Sequence, residues 1–131
     1  MNQSSFIIIY FFYGLAFFSM GLLVAMEGGR STDARLRMAL RPLAGFGLVH
    51  AGHEWLSMFV AMGHIDKDLL ALISFFSLTL LAFSFLSLAA FGAYLVLGSE
   101  STWRVSLIIP LALEAIWVYG LLSFKGQYLQ N

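Results

Sequence analysis

Two histidines and a glutamate lie in the middle of a long apolar stretch, within the run GLVHAGHEW at residues 47–55. Because residues three and four positions apart share one face of an α-helix, His50, His53 and Glu54 are predicted to project together. A charged side chain at the centre of a bilayer costs at least ~2.5–3.5 kcal/mol, so such residues usually face a protein interior and serve a function. This triplet is therefore the first candidate for a functional site.

A second carboxyl group is predicted at a similar depth. Glu114 lies near the middle of the last apolar stretch, four residues after Pro110, whose ring is expected to kink that helix. If the two stretches are neighbours, two imidazoles and two carboxyl groups meet near the bilayer midplane.

Three kinds of chemistry are compatible with this cluster. The first is a hydrogen-bonded polar core, in which Glu54 and Glu114 are protonated or paired with histidine. The second is a site for heme b or a transition metal ion (Fe, Cu or Zn), because neutral imidazole is the commonest protein metal ligand and helical bundles often hold such sites. His50 and His53 would then bind the cofactor, with the two glutamates as further metal ligands. The third is a proton or ion relay through groups of perturbed pKa.

Helix geometry restricts the heme version of this hypothesis. Two histidines on one face of one helix cannot take opposite axial positions of a single iron. The remaining histidine, His64, follows His53 by eleven residues, or about 16 Å along the helix axis. A single-histidine heme, a heme shared across a dimer, or a compact His/Glu metal site therefore remain open.

The composition indicates an integral membrane protein. Of 131 residues, 60% are hydrophobic and 11% are charged, and the mean hydropathy is +0.87, whereas soluble domains carry about 25% charged residues. A net charge of zero argues against nucleic-acid binding. The absence of cysteine excludes disulfides and thiolate chemistry, and no nucleotide-binding or nucleophile motif is present, so catalysis by this chain alone is not expected.

Four apolar segments are long enough to cross a membrane. They comprise residues 6–26, 42–62, 69–97 and 105–124. All charged residues except Glu54 and Glu114 fall in connections or at segment ends. The sequence thus predicts a single all-α domain over residues 1–131, an integral membrane four-helix bundle. Its expected partners are membrane lipid and either further copies of the chain or a larger membrane complex.

Local signals predict how the segments begin and pack. The Glu-Gly-Gly-Arg run at residues 27–30 predicts a turn, and Ser31 or Thr32 could cap an interfacial helix that leads into the second span. Gly14 and Gly21, one heptad apart, predict a close helix contact. Four serines of the third span lie on roughly one stripe, which favours tight packing over a polar pathway: Ser74, Ser77, Ser84 and Ser87.

Two stretches, YFFYGLAFFSMGL at residues 10–22 and RPLAGFGLVHAGHEW at residues 41–55, carry a family resemblance. They resemble the N-terminal membrane module of bacterial sensor histidine kinases and related diguanylate cyclases, most strongly over residues 6–60. The resemblance implies a multi-pass protein of the bacterial inner (cytoplasmic) membrane, with its polar signature at His50, His53, Glu54 and Trp55. This sequence contains no kinase, PAS or cyclase output domain, so the resemblance implies a separate sensor module or a recruited small subunit.

The expected function is a membrane-embedded heme- or metal-binding module that senses or relays a redox or ligand signal. The alternative is a small heme-binding or structural subunit of a membrane electron-transfer complex or another membrane enzyme. An ion permease is less compatible with the sequence, since no inverted repeat is evident.

The arginine distribution makes a topological prediction. Four arginines flank the first connection and should hold it in the cytoplasm, which leaves both termini outside: Arg30, Arg35, Arg37 and Arg41. A reporter that is active only in the cytoplasm should be active when fused at Arg35 and inactive at the C-terminus. Cytoplasmic activity at the C-terminus would contradict the number of spans or their orientation.

Overall fold

The computed structural model describes residues 3–63 and 65–97, together with a few positions between 108 and 123. This part of the chain contains three long helices and no strand: α1 (Gln3–Arg30), α2 (Ala34–Ala61) and α3 (Lys67–Leu97). The predicted all-helical fold is confirmed for these residues. Most of the predicted fourth span, including Glu114, lies outside the described residues, as does His64.

Helix α2 is the central element of the described fold. It packs against both α1 and α3, which do not pack against each other within the residues described. The connections at residues 31–33 and 62–66 are short, so α2 runs antiparallel to both neighbours. Side chains near the middle of α2 can therefore contact both of the other helices.

Two helices are long and apolar enough to cross a membrane, α1 over Gln3–Arg30 and α3 over Leu72–Val96. In each, only 11% of the most apolar 18-residue window is buried. Their outward faces expose large apolar side chains, among them Phe12, Leu23, Phe75 and Phe83. Soluble monomers rarely expose so much contiguous apolar surface, so these faces are typical of a membrane protein. Helix α2 is less apolar because its middle carries the His/Glu triplet.

The junction between α1 and α2 differs from the predicted turn. Helix α1 continues through Gly28 and Gly29 to Arg30, and Gly28 is buried against Leu40 of α2. This packing keeps the glycine pair helical. The predicted cap at Ser31 or Thr32 is wrong.

Asp33 is the residue that caps α2. Its carboxylate oxygen accepts hydrogen bonds from the backbone N–H of Arg35 (2.8 Å) and of Leu36 (3.3 Å). The arginine-rich segment is not a separate interfacial helix, because α2 runs without interruption across Pro42. A proline removes a single backbone donor, and the helix continues through Pro42 without that hydrogen bond.

Side chains tie the helix ends together. The Arg35 guanidinium donates to the backbone carbonyl of Leu95 at 2.7 Å, and the Gln3 amide donates to the carbonyl of Ala61 at 2.6 Å. Both acceptors belong to the last turn of a helix, where carbonyls have no partner within the helix. The positive charge of Arg35 also complements the negative end of the α3 dipole. These contacts help to fix the register of α2 against its neighbours.

A glycine seam brings α1 and α2 close together. Gly14, Gly21 and Gly28 are all buried, each seven residues from the next. A Cβ added at Gly47 of α2 would lie 2.8 Å from both the Gly21 Cα and the carbonyl oxygen of Phe17. The close contact predicted from Gly14 and Gly21 is therefore confirmed.

Gly47→Ala should destabilise the protein, because the new methyl group would meet α1 backbone that cannot move aside. Overpacking of this kind typically costs ~1–3 kcal/mol. Gly92→Ala is the matched control, since no heavy atom lies within 4 Å of its added Cβ and alanine is the better helix former by about 1 kcal/mol. Unfolding of both variants in detergent tests the contact. Equal stabilities would mean that the seam is not tightly packed.

Candidate functional site

His50 lies in the middle of α2 and contacts both α1 and α3. Its exposed fraction is only 8%, and three aromatic rings surround the imidazole. Phe17 of α1 approaches edge-on with a ring-centroid distance of 4.3 Å, Phe46 of α2 lies at 5.3 Å, and Phe85 of α3 at 5.9 Å. Within this apolar surround, each imidazole nitrogen needs its own hydrogen-bonding partner.

Ser84 determines which nitrogen of His50 carries a proton. The Ser84 hydroxyl is completely buried and donates its one hydrogen to the carbonyl of Leu81, at 2.7 Å. Its oxygen lies 3.0 Å from His50 Nδ1. Since a hydroxyl has one hydrogen, the oxygen must accept from Nδ1–H. The Nδ1 atom of His50 is therefore protonated.

The other nitrogen of His50 faces a carboxyl group. His50 Nε2 lies 3.4 Å from Glu54 Oε1, one helical turn further along α2. With Nδ1 protonated, Nε2 of a neutral ring can only accept a hydrogen bond from Glu54, whereas Nε2–H of a charged ring would donate one to the carboxylate. In an apolar interior, a charge costs less when it is paired with an opposite charge.

His53 is held by a single residue of α3, Ser77. Its Nδ1 lies 2.9 Å from both the carbonyl oxygen and the hydroxyl oxygen of Ser77. A carbonyl can only accept, so the contact with it is a hydrogen bond when Nδ1 carries a proton. In that tautomer Nε2 is the nitrogen that can bind a ligand, and it has no hydrogen-bond partner among the described residues. Metal-bound histidines are commonly oriented by the same kind of bond to a carbonyl.

A groove of about 370 Å³ runs beside His53. Its polar lining comes from Tyr10 of α1, Ser57 of α2, and Ser74 and Ser77 of α3, and its apolar walls include Val60, Leu78 and Leu81. The hydroxyl groups of Tyr10, Ser57 and Ser74 have no hydrogen-bond partner in the part of the chain described. The groove thus offers one imidazole and three uncommitted hydroxyl groups.

The structure brings together three of the four predicted site residues. The His50 and His53 rings lie 5.8 Å apart, and Glu54 contacts His50. Glu114 is outside the described residues. Within residues 3–63 and 65–97, no three metal-ligating side chains converge on a point where one ion could bind. His50 also has a contact on each nitrogen, so His53 is the histidine with a nitrogen to offer.

Sequence reasoning missed the polar partners of the two histidines. Ser77 and Ser84 were predicted as small residues that permit close packing, and both do face α2. Their hydroxyl groups in addition orient the imidazoles. The antiparallel order of α2 and α3 indicates these pairs, because the later histidine, His53, then lies beside the earlier serine, Ser77.

No protein-family model, curated protein or solved structure matches the chain. The function therefore has to be inferred from the site's own geometry.

Ser84→Ala should destabilise the protein by ~1–3 kcal/mol, because His50 Nδ1–H would lose its acceptor in an apolar surround. Thr79→Ala is the control, as its hydroxyl bonds only within α3, to the carbonyl of Phe75. If the unmade hydrogen bond is the cause, Ser84→Ala should cost little in a His50→Phe background. Detergent unfolding of the four variants measures this coupling. Additive effects of the Ser84 and His50 substitutions would refute the hydrogen bond.

Proposed function

We propose that the chain is a membrane-embedded sensor or relay module in which His53 binds a heme or a transition metal ion. The observation that supports this proposal is the position of His53: Ser77 contacts Nδ1, Nε2 has no hydrogen-bond partner among the described residues, and the side chain lines a groove. Neutral imidazole with one free nitrogen is the form that binds metals. Single-histidine ligation also agrees with the argument that one helix face cannot supply both axial ligands of a heme.

In this proposal His53 supplies the first ligand, and the His50–Glu54 pair responds to the charge that binding brings. The two imidazole rings are 5.8 Å apart, and His50 Nε2 lies 3.4 Å from Glu54 Oε1. A unit charge about 6 Å away is worth roughly 3 kcal/mol at an effective dielectric constant of ~20. A charge gained or lost beside His53 would therefore act on the His50–Glu54 pair.

The membrane arrangement completes the proposal. If α1 and α3 cross the bilayer, α2 must return between them, because its connections are only a few residues long. Residues 42–61 of α2 would extend about 30 Å, the thickness of the hydrocarbon core. With a fourth span at residues 105–124, the chain would be a four-helix bundle of the bacterial inner membrane. Its exposed apolar faces would contact lipid, further copies or a larger complex.

A second candidate function is a small structural or heme-binding subunit of a membrane enzyme complex. The contacts of His50 favour it, since Ser84 and Glu54 each contact one imidazole nitrogen and the Ser84 contact joins α2 to α3. Such contacts hold a bundle together without a ligand. The exposed faces of α1 and α3 would then contact other subunits.

The purified protein should carry heme or a stoichiometric transition metal, detected by absorption spectroscopy and metal analysis. His53→Ala should abolish binding because it removes the proposed ligand. His50→Ala should weaken binding because it removes the neighbouring His50–Glu54 pair. His64→Ala is the control, since His64 lies in the connection between α2 and α3.

If wild-type protein carries neither heme nor metal and the His50 and His53 variants lose only stability, the structural-subunit candidate is preferred. Loss of cofactor from His64→Ala to the same extent as from His53→Ala would contradict the assignment of His53.

A further inference from the structure

Arg41 differs from the arginines that precede it on α2. Arg35 donates to the carbonyl of Leu95, and Arg37 donates to the carbonyl of Ser31. Arg41 is exposed and has no hydrogen-bond or ion-pair partner in the described part of the chain. Its guanidinium therefore has all five N–H donors available for an external anion.

Arg41 lies at a groove of about 280 Å³ between α2 and α3. Ser87 and Tyr94 of α3 line the same groove, and neither hydroxyl has a partner among the described residues. The guanidinium of Arg41 and the hydroxyl of Tyr94 suit an anion with several oxygen atoms, such as a phosphate group. The rest of the lining is mainly apolar and includes Met38, Leu86 and Ala90.

A second apolar groove, of about 350 Å³, lies on the other side of Arg41, between α1 and α2. It is lined by Arg37 and Arg41 and by apolar residues that include Val24, Leu40 and Leu48. No carboxylate lines either groove within the described residues. The guanidinium of Arg41 is thus flanked by two surfaces that suit hydrocarbon chains.

The position of Arg41 along α2 matches the depth of lipid phosphate groups. Arg41 precedes His50 by nine residues, or about 13.5 Å of helix. Half of the hydrocarbon core is about 15 Å thick. If His50 lies near the bilayer midplane, Arg41 lies near the hydrocarbon boundary, and its long side chain can reach the phosphate layer.

We propose that Arg41 and Tyr94 bind the phosphodiester group of an anionic phospholipid, whose acyl chains lie in the two flanking grooves. Basic pockets between membrane helices recognise lipid headgroups in this way. Among the described residues, the charged groups that line the two grooves are all arginines, so the phosphate group and not the ammonium group of a lipid is attracted there. The inference rests on the membrane arrangement of the proposed function and is independent of any ligand at His53.

Native mass spectrometry of the full chain, titrated with phosphatidylglycerol or phosphatidylcholine, tests the site. Phosphatidylglycerol should bind more tightly, and Arg41→Gln should weaken its binding about tenfold, the equivalent of 1.4 kcal/mol. Tyr94→Phe should weaken it less. Arg30→Gln is the matched control, because Arg30 is exposed but lines neither groove, and its binding should match the wild type.

Equal binding of the two lipids, or equal losses in the Arg41→Gln and Arg30→Gln variants, would overturn the proposal. Displacement of the lipid by millimolar inorganic phosphate would do the same, since it would identify a free-anion site. Unchanged helicity and thermal unfolding of each variant exclude misfolding as the cause of a loss. Recovery of the wild-type chain in the membrane fraction separates the two proposals: absence from that fraction refutes the membrane arrangement, whereas presence without lipid selectivity refutes the lipid site alone.

Discussion

The buried hydroxyl of Ser84 is the contact on which the chemistry of the site depends. Because it donates to the carbonyl of Leu81, it can only accept from His50, and this fixes a proton on Nδ1. With Nδ1 protonated, Nε2 of a neutral ring can only accept from Glu54. A serine whose hydrogen pointed elsewhere would permit the opposite tautomer, in which Nε2–H could face a charged Glu54. The α3 backbone therefore controls the protonation of a side chain on α2.

The glycine seam determines how closely α1 covers the imidazole of His50. Gly21 and Gly47 let α1 approach α2 at backbone distance, and the same approach places Phe17 edge-on against His50. A larger residue at either glycine would move α1 outward and admit lipid or water beside the imidazole. Packing and electrostatics are coupled here, because a lower local dielectric strengthens the interaction between His50 and Glu54.

The parts of the structure that local geometry determines could be predicted from the sequence. His50, His53 and Glu54 share a face because of helix periodicity alone, and Gly14 and Gly21 face α2 for the same reason. The serine partners required the register of α3 against α2, which depends on contacts far apart in the sequence. The N-cap was ambiguous because Ser31, Thr32 and Asp33 are consecutive and all are capping residues. The side chain that reaches the free N–H groups is Asp33.

The polar contacts at the ends of α2 have a different role from those in its middle. Arg35 and the Gln3 amide satisfy carbonyls at the helix ends, and their charges and dipoles lie where solvent or headgroups can screen them. Glu54 lies in the middle, where screening by salt is weak. Because Glu54 contacts His50 and the two imidazole rings lie 5.8 Å apart, a charge beside His53 would act on the His50–Glu54 pair within one helical turn.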